Sequence, residues 1–339
     1  MSYRLPLLRP AGLADGGMPP LRGQEALRIA AVQERTRAVA APVERRFDPA
    51  TDAALTRPLA PICGLSLVRP RLMGILNLTP DSFSDGGRLS TVSTAVAQAK
   101  VLLQDGADIL DIGGESTRPG ATEVPVGEEI LRTAPVIAAM RAAGITEPIS
   151  IDTRKAAVAR AALAEGANIV NDVSGLTWDR EMAPLIAETD VPVVLMHAQG
   201  TPQTMQENPQ YQDVVLDVYD WLRAARDRAV TAGIAPERII LDAGLGFGKT
   251  IEHNLALMRA LAIYHDLGCA MLLGASRKRF IGSISGVQEA RARVAGSVAV
   301  ALQGAAQGMQ ILRVHDVAQT RQALRMWQRM QAIDNGTEA

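Results

Sequence analysis

Side chains capable of chemistry recur in this chain at one kind of place, directly after a short apolar run. Asn77 follows Leu72-Met73-Gly74-Ile75-Leu76, and Asp111 with Glu115, Asp152, Asn171 with Asp172, His197, Asp242, Ser276 with Lys278, and Arg313 with His315 each stand at or just past the end of another run. Gathered in one place, these groups could accept from the N–H groups of a polar heterocycle, donate to its carbonyl and hold an anion. Helix capping accounts for a few of them, because Asp, Asn and Ser often precede helices, but not for a set of eight.

A shared site requires the run ends to converge. Eight strand-like runs, near 72–76, 109–112, 149–151, 169–170, 193–196, 239–241, 271–273 and 311–314, alternate with Ala-rich segments at helical spacing. Eight β-α units in about 260 residues predict a (β/α)8 TIM barrel rather than a doubly wound sheet, and in a barrel the strand ends share one face. The expected organisation is an N-terminal extension over 1–66, the barrel over 67–331 and a tail over 332–339. Within the extension, 27–32 reads as a strand or a short helix, and nothing there carries chemistry. It is expected to cover the barrel bottom or the strand edges.

Composition narrows the class. The 339 residues are 47% apolar and 21% charged, enough for one large core. The net charge of −1 has no basic footprint for nucleic acid. No apolar segment reaches membrane-spanning length, and the first residues lack the apolar core of a secretion signal. Cys63 and Cys269 have no metal-ligand spacing. A reducing, cytoplasmic setting is expected.

Four clusters refine the chemistry. Glu115-Ser116-Thr117-Arg118-Pro119-Gly120 offers hydroxyls and a guanidinium for an anion, although a solvated Pro-Gly turn would read the same way. Gly244-Leu245-Gly246-Phe247-Gly248-Lys249 lacks Walker spacing; its glycines are expected to let backbone approach a ligand beside Asp242, with Phe247 as an aromatic wall. Ser276-Arg277-Lys278-Arg279 places three cations after a buried strand. Arg313 and His315 alternate, so both are expected at the mouth of the last strand, where barrels commonly seat phosphate.

The runs MGILNLTPDSFSDGG, DILDIGGESTRPGA, SIDTRK, NIVNDVSG, VLMHAQGTPQTMQ, LDAGLGFGK, GASRKRFIG and RVHDV occur in this order. Together they resemble the dihydropteroate synthase family over 67–330. The resemblance implies condensation of 6-hydroxymethyl-7,8-dihydropterin pyrophosphate with 4-aminobenzoate, giving 7,8-dihydropteroate and pyrophosphate in folate biosynthesis. It implies Asn77 as a Mg²⁺ ligand, Asp152, Asn171, Met196, Asp242 and Lys278 around the pterin, and Thr117, Arg118, Arg313 and His315 with Asn77 on the pyrophosphate. It further implies Phe83, Thr117, Pro119, Phe247, Lys278 and Arg279 around 4-aminobenzoate, with residues 79–87 closing over the site. Catalytic roles fall to Asp152, Lys278, Asp85, Arg313 and His315, in a largely dissociative substitution where Asp85 acts late.

Three positions depart from the family pattern. Ala243 stands where Pro is usual, Ala198 where a larger residue follows Met-His, and Arg279 where a serine often helps hold the aminobenzoate carboxylate. The resemblance also implies a homodimer packed through the late helices, and sulfonamide competition. The other readings are a pterin-dependent methyltransferase, a noncatalytic pterin-binding paralogue and a sugar-phosphate barrel enzyme. Turnover separates the second, and the missing Lys or Glu base pair disfavours the third.

Overall fold

The computed structural model describes residues 2–11, 17–78, 88–116, 121–200 and 204–331. The chain begins with an antiparallel sheet of β1 (Tyr3–Pro10), β2 (Leu27–Thr36) and β3 (Val39–Arg45), followed by helix α1 (Pro49–Thr56). Residues 27–32 therefore form a strand: Leu27, Ile29 and Ala31 are buried while Arg28 and Ala30 are less so, the period of two that a sheet requires. Asp48 caps α1 by accepting from the Ala50 amide, with Pro49 at the first helical position.

Eight parallel strands follow: β4 (Arg71–Asn77), β5 (Ile109–Gly113), β6 (Ile149–Asp152), β7 (Ile169–Asp172), β8 (Val193–Met196), β9 (Ile239–Asp242), β10 (Ala270–Leu273) and β11 (Ile311–Val314). They close into a barrel as β11 bonds to β4 and β10 bonds to both β9 and β11. Around it run α2 (Arg88–Gln104), α3 (Val126–Ala142), α4 (Ala156–Ala164), α5 (Met182–Thr189), α6 (Val214–Thr231), α7 (Ile251–Ala260), α8 (Arg279–Ser285), α9 (Val294–Ala306) and α10 (Val317–Gln331). The expected (β/α)8 barrel is the fold. Between β10 and β11 the chain forms two helices, α8 and α9, because Gly286 in the left-handed region ends α8.

The period of two along the strands builds the site. Met73, Ile109, Ile169, Val194, Ile240, Leu272 and Ile311 form an apolar layer inside the barrel, each contributing about 1.5–3 kcal/mol by burial. Two residues further along, four of these strands place Asp111, Asn171, Asp242 and Arg313, so the same face turns polar there within one pleat, while β4 and β8 place Ile75 and Met196. Ile62 and Leu67, ahead of β4, join the apolar layer from below. Of the two, Ile62 belongs to the extension and Leu67 to the barrel segment. The three-stranded sheet flanks α6, where Tyr3 donates to Asp220 at 2.9 Å and packs edge-on against Tyr219. Buried Arg22 donates to the carbonyls of Ala54 and Gly268, and Gln24 to that of Gly308 at 2.6 Å, holding the extension to the barrel.

Candidate active site

Arg313 organises the floor of the barrel mouth. From β11 its Nε donates to Asp111 Oδ2 on β5 at 2.6 Å and its Nη2 to Asp152 Oδ2 on β6 at 2.7 Å. Asn171 on β7 reaches Asp111 from the side, its Nδ2 3.5 Å away. Gly113, at the end of β5, leaves room between Asn77 and Asp152: an added Cβ would sit 3.5 Å from Asn77 Oδ1 and 3.9 Å from Asp152 Oδ2. Asp242, from β9, completes the group and accepts from the Gly244 amide at 2.8 Å.

This chamber holds three carboxylates, Asp111, Asp152 and Asp242, against two cations, Arg313 and Lys278. Burial pushes the Asp152 carboxyl up to about 7, with Arg313 opposing and Asp111 adding to the rise. Burial likewise raises Asp242, against the pull of Lys278 and the Gly244 amide. Burial brings the Lys278 ammonium down to about 7 despite Asp242 beside it. Burial works against the Arg313 guanidinium too, yet Asp111 and Asp152 carry it above its ordinary value. Asp111 Oδ1 and Asp152 Oδ1 are buried without a hydrogen-bond partner among the described residues. Two unsatisfied acceptors beside an amide and an ammonium suit a flat ring rich in N–H groups.

The lip is made by Lys278 and the loop after β9. Lys278 Nζ lies 4.0 Å from the centre of the Phe247 ring and donates to the Leu245 carbonyl. Two glycines of this loop are required by backbone packing: an added Cβ would sit 1.9 Å from the His197 carbonyl oxygen at Gly244, φ +65, and 2.6 Å from that of Gln199 at Gly248, φ +62. Buried Lys249 bolts the loop down, donating to Gly244 O at 2.9 Å and Phe247 O at 3.0 Å and meeting His197 Nδ1 at 2.8 Å. Burial holds both Lys249 and His197 well below their ordinary values.

The ring of eight therefore divides by strand alternation. Asn171 and Met196 face inward, so their neighbours Asp172 and His197 do not. Asp172 accepts from the Ser174 and Leu176 amides and builds its own turn, while His197 turns to Lys249 and stands edge-on to Trp221. After β10 only one of the three cations enters the mouth. Arg277 pairs with Asp316 (Nε to Oδ2, 3.1 Å), and Arg279 is exposed at the start of α8. His315 Nδ1 meets Ser276 Oγ at 3.0 Å, and its backbone amide donates to the same oxygen.

Phe83 and Asp85, with the rest of 79–87, and Thr117, Arg118 and Pro119 lie outside the described residues. The departures fall on or near the lip: Ala243 is buried behind Asp242, and Ala198 borders a cavity of about 150 Å³ with Arg154, Trp178, Met205, Trp221 and Phe247. Sequence reading puts Asp111 in the ring but cannot pair it with Arg313, 202 residues away. It names Ser276 and Lys249 without their partners, and it gives no role to Arg154 and Lys155. The one available signal for the last two is a basic pair directly after a strand, the pattern already noticed at Arg277-Lys278.

Residues 73–315 match the model of a family described as pterin binding enzyme. A dihydropteroate synthase of Neisseria meningitidis serogroup B is 50% identical over 269 residues, 78% of this chain and 94% of the relative, and that of Escherichia coli is 46% identical over 262 residues, 77% and 92%. The chain belongs to the dihydropteroate synthase family. Among solved dihydropteroate synthases, that of Xanthomonas albilineans with 4-aminobenzoic acid matches with a TM-score of 0.75 and 48% identity, over 80% of this chain and 97% of that one. The same enzyme in complex with 7,8-dihydropteroate matches at 0.72 and 46%, over 79% and 96%.

Proposed function

We propose that the polar layer at the strand ends performs the family's reaction, in which 4-aminobenzoate displaces pyrophosphate from 6-hydroxymethyl-7,8-dihydropterin pyrophosphate to give 7,8-dihydropteroate. The observation that carries this assignment is the convergence of Asp111, Asn171, Asp242 and Arg313, one pleat above an apolar layer, with Asp152 and Lys278. Asp152 and Asp242 accept from the amino and ring N–H groups of the pterin, Asn171 bonds both ways, and Lys278 donates to the ring carbonyl. Met196, buried on β8, packs on the ring face. In this reading Arg313 does not hold the leaving group alone, because Asp111 and Asp152 already engage it; it neutralises the floor and fixes its carboxylates.

The pyrophosphate lies toward Asn77, His315, Thr117 and Arg118, and the aminobenzoate toward Phe247, Lys278, Phe83, Thr117, Pro119 and exposed Arg279. Mg²⁺ binds weakly to protein cages and takes substrate phosphates readily. Among the described residues no group of three acidic, histidine or cysteine side chains is arranged for a metal, and the half-buried Asn77 amide oxygen fits an ion that arrives on the diphosphate. When bound, the ion supplies charge for the departing group. The neutral arylamine needs no strong base before attack, so substitution runs largely dissociatively, with Asp85 taking the proton late. A large nitrogen isotope effect from the aminobenzoate, reporting advanced bond formation, would contradict that path.

A homodimer through the late helices is part of the proposal, supported by exposed Ile284 on α8 and Met326 and Met330 on α10. Sedimentation equilibrium checks it, and a monomeric mass would remove it. A cytoplasmic setting is consistent with two free cysteines, and no described helix is long and apolar enough to cross a membrane. The activity test is turnover with Mg²⁺, the pterin pyrophosphate and labelled 4-aminobenzoate. Equal amounts of dihydropteroate and pyrophosphate are expected; tight pterin binding without product would instead mark a noncatalytic paralogue.

A further inference from the structure

Past the exits of β5 and β6 lies a second buried set of charges, separate from the floor. Glu115 and Lys155 are 7% and 5% exposed at their side chains, Glu129 1% and Arg154 8%, and the four charges cancel. Lys155 Nζ pairs with Glu115 Oε2 at 2.5 Å and Glu129 Oε2 at 2.7 Å, while Arg154 Nη2 pairs with Glu115 Oε1 at 2.9 Å. Such a network is a poor device for stability alone, since apolar groups of the same volume would serve as well. What it specifies is geometry.

Its geometry concerns the two ends of one loop. Glu115 stands where the chain leaves β5, and Val124 where it returns toward α3. The Val124 amide donates to Glu115 Oε2 at 2.9 Å, and the Val124 carbonyl accepts from Lys155 Nζ at 2.5 Å. One carboxylate and one ammonium thus pin both ends of the stretch from 116 to 123. Lys155 lies three residues past Asp152 on the same strand exit, so the loop base and the pterin floor share a support. Arg154 extends the support to the loop after β7, its guanidinium stacked 3.7 Å over the Trp178 ring.

We propose that Glu115, clasped by Lys155 and Arg154, is a positioning residue that sets the loop holding the leaving diphosphate relative to the pterin floor. This rests on the reading of Thr117 and Arg118 as diphosphate ligands. A displacement of about 1 Å at a reacting group can cost about 100-fold in rate, so a loop fixed at both ends has a direct catalytic consequence.

The test compares affinity for the hydroxymethyl dihydropterin with affinity for its diphosphate ester plus Mg²⁺; the ratio isolates what the diphosphate contributes. Glu115→Gln is expected to lower that ratio about 10-fold while changing affinity for the pterin alcohol by less than about 2-fold. Arg118→Ala should lower the ratio as well, and the double variant should fall little further, because Glu115 acts through the loop. A merely structural role would lower both affinities together, or add its full effect in the double variant, and either result overturns the proposal. So does an unchanged ratio in Glu115→Gln when Arg118→Ala lowers it, which leaves the diphosphate reading standing. An unchanged ratio in Arg118→Ala removes that reading and the proposal with it. Should Glu115→Gln fail to fold, Arg154→Met removes one partner of Glu115 and spares Lys155; the same cycle then applies, with an expected drop of about 3-fold.

Discussion

Two of the places where arginine meets aspartate in this molecule serve opposite ends. On the flank, Arg35 pairs with Asp213 at 3.1 Å and Arg37 with Asp217 and Asp220 at 2.8 and 2.7 Å, tying the N-terminal sheet to α6. In the barrel mouth, Arg313 pairs with Asp111 and Asp152 at 2.6 and 2.7 Å. The distances are alike and the surroundings are not. Arg37 is 38% exposed, whereas Asp111 is fully buried and Asp152 is 9% exposed. Water screens the first set, leaving about 0.2–1 kcal/mol per pair, and the sheet is held mainly by packing such as Tyr3 on Tyr219. In the mouth, desolvation perturbs the groups and makes their charge available to a ligand. Between these two sets, burial rather than distance makes the difference.

The sharpest way to break this contrast is at Arg313. Arg313→Ala leaves Asp111 and Asp152 facing each other unneutralised, with an expected loss of about 3–5 kcal/mol of stability and of turnover altogether, read by denaturant unfolding and product formation. Lys278→Ala should fold and lose about 10³-fold in kcat, since it removes one donor from the chamber. Gly244→Ala comes next, because its Cβ would meet the His197 carbonyl at a left-handed φ. A loss of at least about 2 kcal/mol is expected in thermal or denaturant unfolding.

A pH profile sharpens the comparison further. Asp152, raised to about 7, loses its charge as pH falls through that value, and Lys278, lowered to about 7, loses its charge as pH rises through it. The kcat/KM for the pterin pyrophosphate should therefore trace a narrow bell about neutrality, and Lys278→Arg should lose the alkaline limb. For stability the sign is separate: a carboxyl whose folded value lies above the unfolded 3.8 costs stability progressively as pH rises from about 4 toward 7. Asp152→Asn should flatten that dependence in unfolding measurements. The smallest effect belongs to the flank, where Arg37→Ala should cost under about 1 kcal/mol and leave kcat/KM unchanged.

Much of the barrel was legible because each strand is a short apolar run with polar residues at or just past its end, and the eight repeats support one another. Asn171, Asp242 and Arg313 were legible because they lie in phase with the apolar layer, and Asp152 and Lys278 because they stand at or past a strand end. Asp172 and His197 share that position in the sequence but not the phase, and alternation turns them into loop builders. What stayed hidden needed distance. The pairing of Arg313 with Asp111 spans 202 residues, and that of Lys155 with Glu115 spans 40. The N-terminal sheet was illegible for another cause: β1 and β3 are edge strands without strong alternation, and only β2 carries a buried face that the sequence displays.

The central claim is that the buried polar layer is the pterin seat, and calorimetric titration of 6-hydroxymethyl-7,8-dihydropterin tests it most directly. The parent should bind one equivalent, and Asp242→Asn, with its fold verified by an unchanged unfolding midpoint, should bind at least about 30-fold more weakly. Equal affinity in the two proteins would place the pterin elsewhere and contradict the account.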